Sequence, residues 1–268
     1  MVTYRLNLDG GRTMKTTMRV VVMSCFVFAA LSSSAQASLI LVGGTPAGSF
    51  VDLGAQGFGT APRLLTMQGS GQDDVLSGFE TPVDVENGVG CPGPGCDVID
   101  GANKSTTPTI AATGWTSGAQ VGIGFNSDQS GNTGITMQDL VLTIYNGTTA
   151  VGSFALGPAF INFSAADLAL QQGNGNAVFN FGLDAAQQAQ FNTILAMAGS
   201  SGFFVGLGAT LGCPAGSPAG CLVTNDGPDS FVAFQQSAGT PVPDGGSTVT
   251  LLGSAVLAIG MLRRRFFS

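Results

Sequence analysis

The sequence of 268 residues contains no histidine and only nine lysines and arginines. Without histidine the chain cannot form a Ser-His-Asp or Cys-His catalytic arrangement, nor a His-ligated metal site. The G-x-S-x-G nucleophile elbow is absent as well. The run Gly88-Val-Gly90-Cys-Pro-Gly93 matches G-x-G-x-x-G in form, but its proline precludes the helix that holds a pyrophosphate. These absences exclude the His-dependent hydrolases and the Rossmann-type dinucleotide enzymes.

Basic residues are scarcest in the middle of the chain, where residues 38–240 contain only Arg63 and Lys104. Of the 16 aspartates and glutamates, all except Asp9 and Asp244 lie in the same stretch, which therefore has a net charge near −12. Such a surface repels phosphate backbones and excludes nucleic acid as a partner. It keeps an exported protein soluble and attracts divalent cations or cationic material.

The N-terminal residues predict export through a signal peptide, residues 1–37. Lys15 and Arg19 form a basic region, residues 20–31 are apolar, and Ala35-Gln36-Ala37 is an A-x-A cleavage site for signal peptidase. The mature chain is therefore expected to begin at Ser38. Met14 directly precedes the basic region and is a candidate for the true start.

The C-terminal residues, 241–268, form a second targeting pattern. Val242-Pro243-Asp244-Gly245-Gly246 is followed by an apolar run at residues 249–262 and by Arg263, Arg264 and Arg265. The arginines are expected to stop the chain on the cytoplasmic side, because cytoplasmic segments carry the excess of Lys and Arg. The predicted transmembrane segment is 248–262.

This three-part tail resembles the PEP-CTERM sorting signal of Gram-negative bacteria, most closely its VPDSG-type variant, with Gly245 in place of the serine. The resemblance implies transient insertion into the inner membrane, cleavage by an exosortase, and release to the envelope, surface or extracellular matrix. It also implies an association with exopolysaccharide or biofilm. The alternative is a permanent anchor, although the apolar run reaches only roughly 20–24 Å, short of the ~30 Å hydrocarbon core.

Between the two signals, residues 38–240 have the length of one all-β domain. We predict an antiparallel β-sandwich, jelly-roll-like, with one or two short helices. Strand patterns occur at 39–42, 121–125, 139–145, 151–156, 177–181, 203–207 and 231–235, with a hairpin turn at Asn146-Gly147. Helices are predicted at 165–171, after a Ser164/Asp167 capping box, and at 185–198, after Asp184. On the second helix Phe191, Ile194, Leu195 and Ala198 share one face.

Four cysteines remain after removal of the signal peptide, and they form two local pairs. Cys91 and Cys96 flank Pro-Gly-Pro-Gly, while Cys213 and Cys221 enclose Pro-Ala-Gly-Ser-Pro-Ala-Gly. An even number of cysteines in an exported chain indicates disulfides. Of the three possible connectivities we predict the pairing of neighbours, because the Pro and Gly turns bring the Cα atoms of each pair within bridging range. A four-thiolate zinc site is disfavoured by the second spacing and by an oxidising compartment.

Candidate ligand groups are few, and none predicts a required cofactor. Asn126-x-Asp128-x-Ser130-Gly131 has the rhythm of a calcium loop but lacks its bidentate glutamate, so a polar turn is the alternative. Asp73-Asp74 and Asp97/Asp100 are candidate carboxylate pairs for glycoside hydrolysis by residue type alone. Trp115, the only tryptophan, is expected in the core rather than stacked on a sugar.

Two classes of function remain. The first is a non-enzymatic envelope or matrix protein whose partners are signal peptidase, an exosortase, the membrane transiently, and an extracellular polysaccharide. The second is a secreted carboxylate-dependent glycoside hydrolase, or a calcium- or glycan-binding module. An acidic pair facing into a cleft is the feature that would favour the hydrolase.

Overall fold

The computed structural model describes residues 38–53, 61–69, 75–82, 97–99, 101, 103–129, 133–171, 177–224 and 227–236. These residues form strands in two antiparallel sheets with short helices between them. The all-β prediction is thus confirmed as a mostly antiparallel β fold. No helix within the described ranges is long and apolar enough to cross a membrane. The predicted segment 248–262 lies outside those ranges.

The larger sheet has six strands in the described part of the chain. They are β1 (Leu39–Leu41), β2 (Phe50–Asp52), β3 (Arg63–Met67), β5 (Val121–Asn126), β9 (Ala177–Leu183) and β11 (Asp229–Gln235). Their order is β1-β9-β5-β11-β3, and β2 also pairs with β9. Strands that are adjacent here lie far apart in the sequence, so long-range pairing builds this sheet.

The smaller sheet has five described strands. They are β4 (Val75–Phe79), β6 (Ile135–Asn146), β7 (Thr149–Ala155), β8 (Ile161–Phe163) and β10 (Phe204–Gly212). Their order is β4-β10-β6-β7, and β8 pairs with the first residues of β6. β6 begins four residues before the predicted 139–145 segment, because Ile135–Met137 pair with β8.

The two sheets share one hydrophobic core that contains most of the buried phenylalanines. The ring of Phe163, from β8, lies 4.7 Å from Phe179 and 5.2 Å from Phe125 between centroids, and these two rings come from the other sheet. The predicted alternation in β5 is confirmed, since Val121, Ile123 and Phe125 are all fully buried. Each such side chain contributes about 1.5–3 kcal/mol relative to an exposed one, so the facing sheets stabilise one another.

β6 and β7 form the predicted hairpin. Asn146 pairs with Thr149, so the loop consists of Gly147 and Thr148. Gly147 has φ of 60°, a left-handed conformation that glycine adopts without steric cost. The turn therefore fixes the register between β6 and β7.

Four short α-helices lie in the described part of the chain, more than the predicted one or two. They are α1 (Pro46–Ser49), α2 (Ile110–Thr113), α3 (Ala165–Leu168) and α4 (Ala185–Leu195). Ser164 and Asp167 form the predicted reciprocal capping box of α3, and the Asp184 side chain accepts a hydrogen bond from the Gln187 backbone N–H of α4. The prediction that this second helix continues to Ala198 is wrong. It ends at Leu195, and Ala198 lies beyond it and is exposed. Of the predicted face, Phe191 and Ile194 are the buried residues.

Trp115 lies in the core, as predicted from its being a single tryptophan. Its side chain is 2% exposed and its Nε1–H donates a 2.8 Å hydrogen bond to the Phe234 carbonyl. Its ring meets Phe191 of α4 edge-on, with 6.1 Å between centroids. The indole therefore fixes α4 against β11 and is not available to stack on a sugar.

Candidate functional site

The outer face of the smaller sheet contains a cleft of about 370 Å³. We call it the sheet cleft. Its floor is Gly206 and Gly208 of β10, and its walls are formed by the flanking strands β4 and β6. Among the residues that line it are Ser77, Phe79, Thr143, Tyr145, Gly206 and Gly208.

The cleft exists because two outward positions of β10 have no side chain. Gly206 is opposite Thr143 and Gly208 is opposite Val141 and Phe79, so the missing side chains leave a trough between two rows of larger residues. A Cβ on Gly206 would lie 2.8 Å from Cε2 of Tyr145 and 2.4 Å from the Glu80 carbonyl oxygen. The backbone at this position therefore accommodates only glycine, and the tyrosine ring leans across it.

The larger sheet carries the same glycine pattern, with neighbouring side chains above the glycines. On β5, a Cβ at Gly122 would meet the ring of Phe234 at 3.0 Å, and one at Gly124 would meet Val178 at 2.8 Å. Val178 is fully buried. There the neighbouring side chains fill the space above the glycines. On β10 the Glu80 carbonyl and the Tyr145 ring cover Gly206, whereas at Gly208 the nearest atom to a Cβ would be Phe79 Cβ at 3.3 Å, so the cleft is wider at Gly208.

The walls combine apolar surface with hydroxyl groups. Phe79 is 45% exposed, and Tyr145 and Thr143 are half-buried. At one end the hydroxyls of Ser77 and Thr210 lie 3.4 Å apart, and the exposed Asp139 is opposite Thr210. The arrangement offers two aromatic surfaces, several hydroxyls and one accessible carboxylate to a ligand in the trough.

Two carboxylates line the cleft, but they lie at opposite corners. The Glu80 backbone N–H bonds the Leu207 carbonyl on one side of β10, while Asp139 pairs with Thr210 on the other. Two strand spacings and three residues separate their backbones, on the order of 14 Å. Both Glu80 carboxylate oxygens are buried, so Asp139 is the carboxylate that an incoming ligand meets.

The carboxylate pairs chosen from the sequence do not form a site in the described residues. The Asp97 carboxylate accepts a 2.7 Å hydrogen bond from the Ser77 backbone N–H and joins its loop to β4. Asp73, Asp74 and Asp100 lie outside the described ranges. Neither pair can therefore be placed in the described chain, and both stay predictions.

A second polar cluster surrounds Asp229, the first residue of β11. Its side chain is fully buried and accepts hydrogen bonds from the Asp128 backbone N–H at 3.2 Å and from Gln129 Nε2 at 3.3 and 3.4 Å. Burial raises the pKa of Asp229 to about 7, although hydrogen bonds from Ser127, Gln129 and the Asp128 backbone oppose the shift. Asp229 thus joins the loop after β5 to β11, and its raised pKa keeps the carboxyl protonated below about pH 7.

This loop is the calcium candidate from the sequence. Asn126 is half-buried at the end of β5, Asp128 is exposed, and Ser130 lies outside the described ranges. Across those ranges, no group of three or more His, Cys, Asp or Glu side chains is placed to hold a metal ion. The hydrogen bonds to Asp229 are those of a polar turn, and calcium binding stays a prediction.

One of the two predicted disulfides lies in the described chain. Cys213 and Cys221 are bridged with 5.8 Å between their Cα atoms. Gln138 of β6 donates from Nε2 to the Gly212 carbonyl at 3.1 Å and approaches the Cys221 sulfur at 3.2 Å. The bridge therefore closes a loop that is held against β6. Cys91 and Cys96 lie outside the described ranges, and their pairing stays a prediction.

Most of the predicted targeting residues lie outside the described ranges. These are Ala35 and Ala37 of the cleavage site, the motif Val242, Pro243, Asp244, Gly245 and Gly246, and Arg263, Arg264 and Arg265. Ser38 is described, and its backbone N–H donates to Asp184 Oδ2. Its carbonyl accepts a 3.1 Å hydrogen bond from the Asp184 N–H. The expected first residue of the mature chain is thus joined to the start of α4.

Sequence reasoning missed the sheet cleft and Asp229. The alternation Val205-Gly206-Leu207-Gly208-Ala209 is the same pattern that predicted β5, and it indicates a strand face without side chains. No sequence signal marks Phe79 or Tyr145 as neighbours of that face, because they come from strands more than sixty residues away. Asp229 gives no signal either, since a single aspartate at a strand start reads as exposed.

Comparison with known proteins assigns the tail. The family model of the VPDSG-CTERM motif matches residues 241–266. The chain therefore carries a PEP-CTERM-type sorting signal, which implies export and targeting to the cell surface or envelope. No curated protein and no solved structure matches the chain.

Proposed function

We propose that this protein is a non-enzymatic component of the cell envelope or extracellular matrix that an exosortase sorts and that associates with exopolysaccharide. The observation that carries the proposal is the VPDSG-CTERM motif at residues 241–266. In this proposal signal peptidase cuts before Ser38, the tail holds the chain in the inner membrane transiently, and the exosortase then releases the body.

The body supports a role outside the cytoplasm. It has the disulfide Cys213–Cys221, which persists in oxidising compartments, and a strongly acidic composition. With β1, β2 and β8 set aside, the strand orders β3-β11-β5-β9 and β4-β10-β6-β7 support the proposal of a jelly-roll-like sandwich. A fold of this kind serves many functions, so the role is argued from the tail and the sheet cleft.

A glycan-binding body is favoured over a hydrolase by the sheet cleft. The cleft presents the aromatic rings of Phe79 and Tyr145 beside hydroxyls, which suits binding. Of the two carboxylates that line it, Glu80 is buried and Asp139 is exposed, so the cleft presents one accessible carboxylate where glycosidases use a pair.

The sorting proposal is tested by following the tail in cells. The tagged full chain is produced in a host with an exosortase and in the same host lacking it, beside the triple variant V242A/P243A/D244A. We expect the wild-type chain to lose its tail and leave the inner membrane only when the exosortase is present. The triple variant should remain in the membrane in both hosts, because the recognition motif is gone.

Mass spectrometry of the released chain identifies the new C-terminus, which should lie near residues 241–246. A matched control is R263Q/R264Q/R265Q, which keeps the motif but weakens the cytoplasmic stop. If the wild-type tail remains intact in both hosts, the segment is a permanent anchor and the proposal fails.

A further inference from the structure

We propose that the sheet cleft binds a neutral polysaccharide chain, which lies along β10 between β4 and β6. This inference deepens the proposed matrix function, since it identifies the face of the body that would contact the polysaccharide. It rests on the shape, chemistry and charge of the cleft, each of which restricts the class of ligand.

The shape of the cleft suits an extended, thin ligand. The trough is one strand wide and most open over Gly208, while the Tyr145 ring covers Gly206 at one end. Its walls on β4 and β6 are two strand spacings apart, roughly 10 Å. The volume of about 370 Å³ falls in the range of small-ligand sites. The trough is on the face of the sheet, where backbone N–H and C=O groups are already paired. A peptide that binds by strand addition needs an edge, so that mode is not available here.

The chemistry of the walls matches that of a sugar ring. Phe79 exposes 45% of its surface, and the half-buried Tyr145 leans over Gly206 on the other wall. A pyranose has apolar C–H faces that pack on such rings and hydroxyls at its rim. The hydroxyls of Thr143 and Thr210 and the carboxylate of Asp139 lie where they can bond those rim groups.

The charge of the cleft decides between neutral and anionic chains. Asp139 and Glu80 line it, and the two basic residues of the body, Arg63 and Lys104, do not. A polyuronate or a phosphorylated glycan would meet repulsion from the lining and from a body with net charge near −12. Neutral hydroxyls, in contrast, are good donors to the Asp139 carboxylate.

The test measures binding of the full chain, purified in a detergent without a sugar headgroup. Affinity electrophoresis through gels containing a neutral β-glucan, a neutral α-glucan, a galactomannan or alginate gives an apparent association constant for each. We expect retardation by at least one neutral polysaccharide and none by alginate. Tyr145→Ala and Phe79→Ala should each weaken that binding roughly tenfold or more, as truncation of an anchoring ring does.

Matched variants separate the cleft from general effects on folding. Tyr145→Phe keeps the ring and should keep the binding. Met197→Ala removes a side chain of similar exposure, 43%, that lies outside the cleft, and it should have no effect. Gly208→Val places a side chain in the trough and should block binding. It leaves both rings in place, and β-branched residues suit strands, so it tests the cleft if a ring variant fails to fold.

Three results would overturn the inference. They are binding to none of the neutral polysaccharides, stronger binding to alginate than to them, and neutral binding that all the cleft variants retain. The last result would leave the proposed matrix role intact and move its contact elsewhere on the body. Failure of tail processing, in contrast, would not affect binding in these gels, so the two proposals fail separately.

Discussion

At Asp229, burial raises the pKa of the carboxyl group while hydrogen bonds lower it. The carboxyl is completely removed from water, and its partners are a backbone N–H, an amide and a hydroxyl rather than a cation. Hydrogen bonds favour the ionised form, but desolvation is the larger effect and raises the pKa to about 7. Asp128, exposed in the adjacent loop, is the charged neighbour and raises it further.

The stability of the body should therefore fall as the pH rises from about 4 to about 7. In this interval the folded protein keeps a proton on Asp229 that the unfolded chain, with an ordinary pKa of 3.8, has lost. The contribution is fully present below pH 4 and is lost above about pH 7. Urea unfolding of wild-type protein at several pH values, beside Asp229→Asn, measures the effect.

Asp229→Asn keeps a neutral group of the same shape, so the variant should be less dependent on pH in this interval. At pH 8 it should be more stable than the wild type by roughly 4 kcal/mol, because the pKa rises from 3.8 to about 7 and each unit corresponds to about 1.36 kcal/mol. Asp139→Asn, at an exposed carboxylate, is the control and should follow the wild-type curve. Equal pH dependence of wild type and Asp229→Asn would contradict the assignment.

At the scale of elements, Ser38, the expected first residue of the mature chain, contacts the start of α4 just before β1 begins. Asp184 caps α4 with Oδ1, which accepts from the Gln187 N–H at 2.8 Å, and its Oδ2 accepts from the Ser38 N–H. Cleavage after Ala37 would convert that amide into an ammonium group beside the carboxylate. A charge-assisted hydrogen bond is stronger than a neutral one, so we expect processing to strengthen this junction.

The corresponding prediction compares chains that begin at Ser38 with chains that keep Ala35-Gln36-Ala37. Asp184→Asn retains a good helix cap but loses the charge. It should destabilise the chain that begins at Ser38 by about 0.5–1 kcal/mol more than the extended chain. Thermal unfolding of the four proteins at pH 7 forms a double-mutant cycle. A coupling of zero would mean that the new N-terminus does not pair with Asp184.

The loop between Cys213 and Cys221 gives a second prediction at this scale. Replacing both cysteines with serine should lower the free energy of unfolding by about 2–3 kcal/mol, as the loss of a short closed loop predicts. Non-reducing peptide mapping of the wild-type protein should recover this bridge and a separate Cys91–Cys96 bridge. Free thiols at 91 and 96, or a bridge between the two pairs, would contradict the predicted connectivity.

The elements that the sequence predicted are those with a local signal, either an alternation of large and small residues or a turn residue. β5 alternates large residues with glycine, and the hairpin after β6 has a turn that requires glycine, so both were predictable. β3 was not, because Leu64 and Leu65 are both fully buried and the strand shows no alternation. β8 was too short for a pattern. Its three residues are placed by pairing with β6 and by the contacts of Phe163 in the core.

At the scale of the whole molecule, the sheet cleft depends on strand order, which no local pattern encodes. Ser77 and Phe79, Thr143 and Tyr145, and Gly206 and Gly208 meet only because β10 pairs with both β4 and β6. A single sequence predicts that such strands exist but not which ones are neighbours. The C-terminal sorting signal is different, because cellular machinery reads it as a short linear pattern, and it was predictable from the sequence. The N-terminal signal peptide stays a prediction.

The body and the tail should behave as independent parts of the chain. The residues of the hydrophobic core in the described chain lie between Leu39 and Ala233, and β11 ends at Gln235. Residues 249–262 are apolar on every side, so as a helix they would have no polar face with which to lie on the body as an amphipathic element. Truncation after Thr240 should therefore change the melting temperature of the body by no more than about 2 °C, less than 1 kcal/mol would produce in a domain of this size.

The same truncation should abolish membrane retention and processing, because it removes both the motif and the arginines that fix orientation. Calorimetry of the truncated body, beside fractionation of cells producing the full chain and the truncated chain, measures both effects. A second truncation within β11, after Val232, serves as the control and should unfold the body, because it removes the strand residues that pair with β5. If removal of residues 241–268 alone lowers the melting temperature as far as that control, the tail belongs to the fold, and its role as a removable signal is wrong.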